Sequence, residues 1–157
     1  MEPLVDQIMR KVKQATELYH RLILVIASAG GGKTTALQDV RDRTGAPMVN
    51  VNLELSRRML DLTERQRALR LPHLLQEIVG KSTGEIILLD NIEILFDVGL
   101  KQDPLRLLQG LSRNKTVVVA WNGTIVKDYL TYAAPAHPEY RRYPKRDLLV
   151  ASPEVTT

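Results

Sequence analysis

The feature that most constrains this chain is a run of three glycines set between an apolar stretch and a helical one. Leu22-Ile23-Leu24-Val25-Ile26-Ala27 leads through Ser28-Ala29 into Gly30-Gly31-Gly32, then Lys33-Thr34-Thr35 opens a stretch of helical character that runs to Arg43. Six apolar residues bounded by a Gly-rich turn predict a strand buried on both faces, as in a parallel sheet. Gly45-Ala46-Pro47 predicts the end of the helix. Strand, glycine turn and helix in that order aim successive backbone N–H groups at one point, with the positive end of the helix dipole behind them. Such a turn is a cradle for an anion.

Residues 27–34 fit the P-loop (Walker A) pattern in a relaxed form, with Ala27 in place of the first glycine. A strand before the pattern and a helix after it are the context that confirms it. The expected nucleotide-binding set is Ala29, Gly30, Gly31, Gly32, Lys33, Thr34 and Thr35. Backbone amides surround the phosphates, Lys33 reaches the β- and γ-phosphates, and the Thr34 hydroxyl ligates Mg²⁺. The expected nucleotide is ATP. A second metal-organising group belongs at the end of a buried strand, and Ile86-Ile87-Leu88-Leu89 is followed there by Asp90. Thr34 and Asp90 are therefore the expected Mg²⁺ ligands.

Asn91 stands where many ATPases carry the glutamate that polarises the attacking water. An amide orients water but cannot accept its proton. Glu93 could reach back from two residues further on. Glu54, beyond the second strand, is the other carboxylate in range and reads as a solvated surface group. Hydrolysis by the isolated chain is expected to be slow, or completed by a partner. Asn122 closes a Val-rich strand over 116–121 and is expected to sense the γ-phosphate beside the third strand's carboxylate.

The remaining pattern predicts a helix over 3–19, a strand over 47–53, and a helix over 63–79 that is interrupted or restarted near Pro72 and stopped by Gly80. A helix follows Pro104, a helix spans 124–132, an irregular stretch fills 133–144, and a fifth strand covers 148–151. Alternating strands and helices imply an α/β, three-layer architecture. It has a five-stranded parallel sheet and right-handed crossovers, in one domain over 1–157.

Cysteine is absent, which excludes disulfides and thiolate-bound zinc, and the three histidines have no metal-ligand spacing. No apolar run approaches the ~20 residues that span a bilayer, and Met1-Glu2-Pro3 lacks a basic leader; a cytoplasmic protein without membrane contact is expected. A net charge of +4 permits nucleic-acid contact without demanding it. Arg141-Arg142-Tyr143-Pro144-Lys145-Arg146 concentrates that charge. It reads as a trans-acting arginine, a DNA contact or a solvated loop, with Arg113 a weaker source of the arginine.

Taken together, 27–34, Asp90-Asn91, the strand into Asn122 and Arg141-Arg142 resemble the core of AAA+ ATPases. That resemblance implies strand order 5-1-4-3-2, Asn122 as the sensor, and Arg141 or Arg142 (Arg142 the preferred candidate) reaching into a neighbouring subunit's site within an ATP-dependent homo-oligomer. The family's C-terminal helical lid is expected to be missing, since the sequence ends just after the fifth strand. More closely, nearly the whole chain resembles the BrxF family of small P-loop proteins from type-3 BREX phage-defence systems. This likeness is carried by Leu88-Leu89-Asp90-Asn91-Ile92-Glu93 and by Leu108-Gln109-Gly110-Leu111-Ser112-Arg113-Asn114 leading to Ala120-Trp121-Asn122-Gly123. It implies partners among the other BREX components, including a large ATPase and a DNA methyltransferase. Two rival readings are a small-molecule kinase, for which no Arg-rich lid is seen, and a DNA-binding module with a regulatory or vestigial nucleotide site.

Overall fold

Leu22–Ala27 (β1) is buried along its whole length, because its six side chains face apolar layers on both sides of a sheet. The computed structural model describes residues 2–28, 30 and 32–153. Its parallel sheet runs in the order β2 (Met48–Asn50), β3 (Ile86–Asp90), β4 (Thr116–Val126), β1, β7 (Leu149–Ala151). On one face, Ile23, Val25, Leu88, Val118 and Ala120 meet α1 (Leu4–Ala15) and α2 (Lys33–Thr44). On the other, Leu24, Ile26, Ile87, Leu89, Val119 and Trp121 meet α3 (Val51–Met59), α4 (Glu64–Gly80) and α5 (Pro104–Leu111). Alternate residues of each strand thus feed opposite layers, which is the three-layer α/β arrangement.

The sheet has seven strands rather than the expected five. Along its parallel path, the strand expected fifth forms β7 beside β1, so that part runs in the anticipated order. The difference lies at the far end of β4, which passes through Asn122-Gly123 to Val126 instead of stopping. The chain then returns as β5 (Tyr129–Tyr132), and β6 (Arg141–Pro144) pairs antiparallel with it. The helix expected over 124–132 and the irregular stretch over 133–144 are both corrected. Thr124, Ile125 and Val126, with Tyr129, Thr131 and Tyr132, are β-branched or aromatic, and these types fit a pleated surface better than a helix. Their period is also two. Leu130 and Tyr132 are buried and Ile125 packs against the core, while Val126 and Tyr129 are exposed.

Three smaller corrections share a local cause. The second strand stops at Asn50 because that side chain accepts a hydrogen bond from the Leu53 amide (3.0 Å) and caps α3. Residues 51–53 are therefore helical. α1 ends at Ala15, with the Thr16 amide and hydroxyl both bonded to the Lys13 carbonyl. α4 runs through Pro72 without a break, started by a reciprocal capping box between Thr63 and Gln66. Among the described residues, no helix is long and apolar enough to cross a membrane.

Candidate nucleotide site

The site forms where β1 and β3 end and where β4 passes Asn122. Register places Ala27 of β1 beside Asn122 of β4, and Asn50 of β2 beside Asp90 of β3. From Ala27 the chain turns through Ser28, Gly30 and Gly32 into α2; Ala29 and Gly31 lie outside the described residues. Gly30 and Gly32 sit at φ +80° and +84°, with open space where a Cβ would be. Glycine is required there by backbone conformation, not by crowding. Gly32 is also the N-cap of α2, and neither a capping side chain nor a first-turn carboxylate satisfies that end. Helix geometry gives the first-turn amides no intrahelical acceptor, so they point outward as donors.

Lys33 is only 7% exposed, and its Nζ donates to the Ala27 carbonyl (3.1 Å) and the Ser28 carbonyl (2.7 Å). The ammonium is folded back over the glycine turn instead of extending into solvent. The Thr34 hydroxyl donates to Asp90 Oδ2 at 2.8 Å, and the other carboxylate oxygen accepts the Asn91 amide at 2.9 Å. Asp90 is 8% exposed. Gly30, Gly32, Lys33, Thr34 and Thr35 thereby face Asp90, Asn91, Glu93 and Asn122 around one cleft of about 360 Å³.

Mg²⁺ takes oxygen ligands, usually one or two from protein with water and phosphate completing the shell. A hydroxyl and a carboxylate already within one hydrogen bond of each other match that habit. No group of three or more His, Cys, Asp or Glu side chains among the described residues offers a cage for a more demanding metal. If Mg²⁺ joins this pair to a bound nucleotide, Thr34→Val should weaken nucleotide binding roughly tenfold with Mg²⁺ present, and much less in EDTA. Titrating a fluorescent nucleotide in both buffers measures the difference.

Glu93 opens the short 3₁₀ turn Glu93–Phe96 and lines the cleft. Its carboxyl is pushed above the ordinary 4.5, first by burial and secondarily by the Asp90 charge. A raised carboxylate is a better proton acceptor near neutral pH than an exposed one. The same shift affects stability. At low pH both folded and unfolded chains hold the proton; as pH rises above 4.5 the unfolded chain releases it first, so stability is lost. Glu93→Gln should therefore melt above wild type at pH 7 and together with it near pH 3, as thermal scans at the two values would show.

Asn91 is held in the left-handed region (φ 53°), where asparagine is among the better-tolerated residues. Its carbonyl accepts the Asn52 amide (2.8 Å), while Asn52 Oδ1 accepts the Ile94 amide (2.8 Å). Asn52 thus pins the loop that carries Asp90, Asn91 and Glu93. It was not among the sequence-predicted residues, and the only available signal was Asn50 as a helix cap.

Other expected residues are placed elsewhere. Arg142 lies on β6 with its Cζ 3.7 Å from the centre of the Tyr129 ring, and it does not line its own cleft. Arg141 donates to the Gln102 carbonyl (2.9 Å). Arg113 lies over Tyr19, 5.0 Å from the ring centre. Glu54 is paired with Arg58 (2.9 Å) and Arg57 (3.4 Å), and the Arg58 hydrogen bond holds its carboxyl below the ordinary value.

No family model matches the chain, and no curated protein matches it. Among solved structures it is similar to that of C. elegans PCH-2, at 15% identity and a TM-score of 0.40, over 80% of this chain and 36% of that one. A likeness so slight does not bear on the site.

Proposed function

We propose that this chain binds a Mg²⁺–nucleoside triphosphate, with ATP as the nucleotide, and acts as a nucleotide-controlled switch with slow hydrolysis. The observation that carries this reading is the 2.8 Å hydrogen bond from Thr34 to Asp90 beside a glycine turn that holds a buried lysine. A mere strand–helix turn needs neither the carboxylate nor the folded-back ammonium. In this reading the amides that open α2 and the Lys33 ammonium hold the phosphates, and the Asn122 amide bonds the terminal one. Asn91 orients a water and Glu93 accepts its proton. Bound Mg²⁺ would neutralise phosphate charge and polarise the terminal phosphoryl group.

Slow turnover is expected because the residue following Asp90 is an amide and the next carboxylate, Glu93, stands two residues later. Phosphate release should stay far below the ~1 s⁻¹ at which ordinary enzymes begin, and it should fall further in Glu93→Gln. Fast turnover independent of protein concentration would overturn the switch reading, and a phosphorylated small-molecule product would replace it with a kinase. The resemblance to BrxF proteins supports placing the switch in a BREX-type phage-defence assembly. Co-purification with the large ATPase and the methyltransferase of such a system tests that placement.

A further inference from the structure

β4 carries the cleft outward. Asn122, Thr124 and Val126 alternate onto one face of the strand. Across the antiparallel extension, Thr124 pairs with Thr131 and Val126 with Tyr129, and these pair in turn with Arg142 and Pro144 of β6. The opposite face, with Ile125, Leu130, Tyr132 and Tyr143, packs into the core. The outer face therefore begins at the nucleotide cleft and ends at an exposed tip. Asn122, Thr124 and Thr131 line one recess of about 330 Å³ along it.

The tip has the chemistry of a nucleic-acid surface. Lys127 and Asp128 lie in the turn between β4 and β5, Arg142 lies on β6, and Lys145, Arg146 and Asp147 follow β6, Arg146 lying 3.9 Å from the Asp147 carboxylate. A second recess of about 400 Å³ is walled by Tyr129 and Pro144 with Lys145, Arg146 and Asp128 at its edge. The Arg142 guanidinium lies over one face of the Tyr129 ring, 3.7 Å from its centre, and is not among the residues lining that recess. An aromatic wall flanked by cations suits an unpaired base with its phosphates; a base stacked inside a duplex could not enter.

We propose that this outer face binds single-stranded nucleic acid. A base stands against Tyr129 and Pro144, and phosphates lie on Lys127, Lys145 and Arg146. Because β4 joins this face to Asn122, nucleotide occupancy alters the grip; that coupling rests on the nucleotide-site reading above, whereas the surface itself does not.

The test is anisotropy of a fluorescein-labelled 20-nucleotide single strand, titrated with the full chain over a KCl series, with and without Mg·ATP. The triple variant Lys127→Ala, Lys145→Ala, Arg146→Ala should bind at least about 30-fold more weakly, with a log–log salt slope smaller by about 2. Tyr129→Ala, which leaves every charge in place, should lose about tenfold at unchanged slope. Trp121 emission and calorimetric Mg·ATP binding should match wild type in both variants, showing that the fold is intact. Wild-type affinity in either variant overturns the surface, as does displacement of the strand by duplex DNA or polyglutamate as readily as by unlabelled single strand. Mg·ATP should change the strand's affinity at least about threefold. No change, in protein whose Mg·ATP binding is measured, removes the coupling. If calorimetry detects no Mg·ATP binding at all, the nucleotide reading fails, and the salt slopes in nucleotide-free protein still decide the surface.

Discussion

Lys33→Ala should lower the affinity for Mg·ATP by roughly 10²–10³-fold while leaving the fold intact. The side chain is buried and its Nζ bonds the carbonyls of Ala27 and Ser28 at 3.1 and 2.7 Å. In the proposed complex that ammonium makes charge-assisted hydrogen bonds to phosphate oxygens. Two such bonds at about 1.5–2 kcal/mol each amount to about 3–4 kcal/mol, which sets the expected loss. Truncation also deprives two carbonyls of a donor, a cost of about 1 kcal/mol that a domain of this size survives. Displacement of a fluorescent ATP analogue measures the affinity, and a thermal midpoint within a few degrees of wild type certifies the fold. Undiminished binding would mean that the nucleotide sits elsewhere.

Among the described glycines, Gly123→Ala should be the most damaging substitution. A Cβ at Gly123 would overlap the Thr131 carbonyl oxygen and lie 2.8 Å from Trp121 Nε1. The indole donates to that same oxygen at 3.1 Å. Neither neighbour is a flexible side-chain end. The oxygen is backbone of β5, and Trp121 is fully buried, with Phe96, Tyr132 and Tyr143 around it at ring separations of 5.1, 6.2 and 5.9 Å. β5 would have to move away, losing the indole hydrogen bond and disturbing the Phe96–Tyr132 stack. Overpacking costs about 1–3 kcal/mol and the lost bond about 1, so about 2–4 kcal/mol is expected. For a domain of this size that lowers the melting midpoint by about 5–15 °C. Trp121 emission follows the transition directly. Gly110→Ala is the control: it lies in α5 with nothing near the built Cβ, and alanine there should be neutral or slightly stabilising.

These two glycine environments also show what could be read from the chain alone. The cradle was legible because its parts are local. An apolar run, glycines at positions that demand positive φ, and a helix start each leave their mark within a few residues of one another. Asp90 was legible because four apolar residues fix which end of a buried strand carries it. The hairpin beyond Asn122 was not. Asn-Gly ordinarily marks a turn, so β4 was expected to stop there. Gly123 is instead small because another strand's backbone passes against it, which is a tertiary fact. The β-branched residues that follow were the available clue. Asn50 misled in a similar way: extended in pattern, it is the cap that turns the chain into α3. The place of Arg142 depends on its pairing with Thr131 across the β5–β6 hairpin, and that of Asn52 on its bond to Asn91, a residue distant in sequence, with only the capping character of Asn50 as a local hint.

A crystal structure with Mg²⁺ and a non-hydrolysable ATP analogue tests the central claim most directly. The phosphates should lie against the amides between Gly30 and Thr35, with Lys33 Nζ moved from the Ala27 and Ser28 carbonyls to phosphate oxygens and the Thr34 hydroxyl turned from Asp90 to the metal. An analogue bound away from the glycine turn, with Lys33 still on those carbonyls and Thr34 still on Asp90, would contradict it.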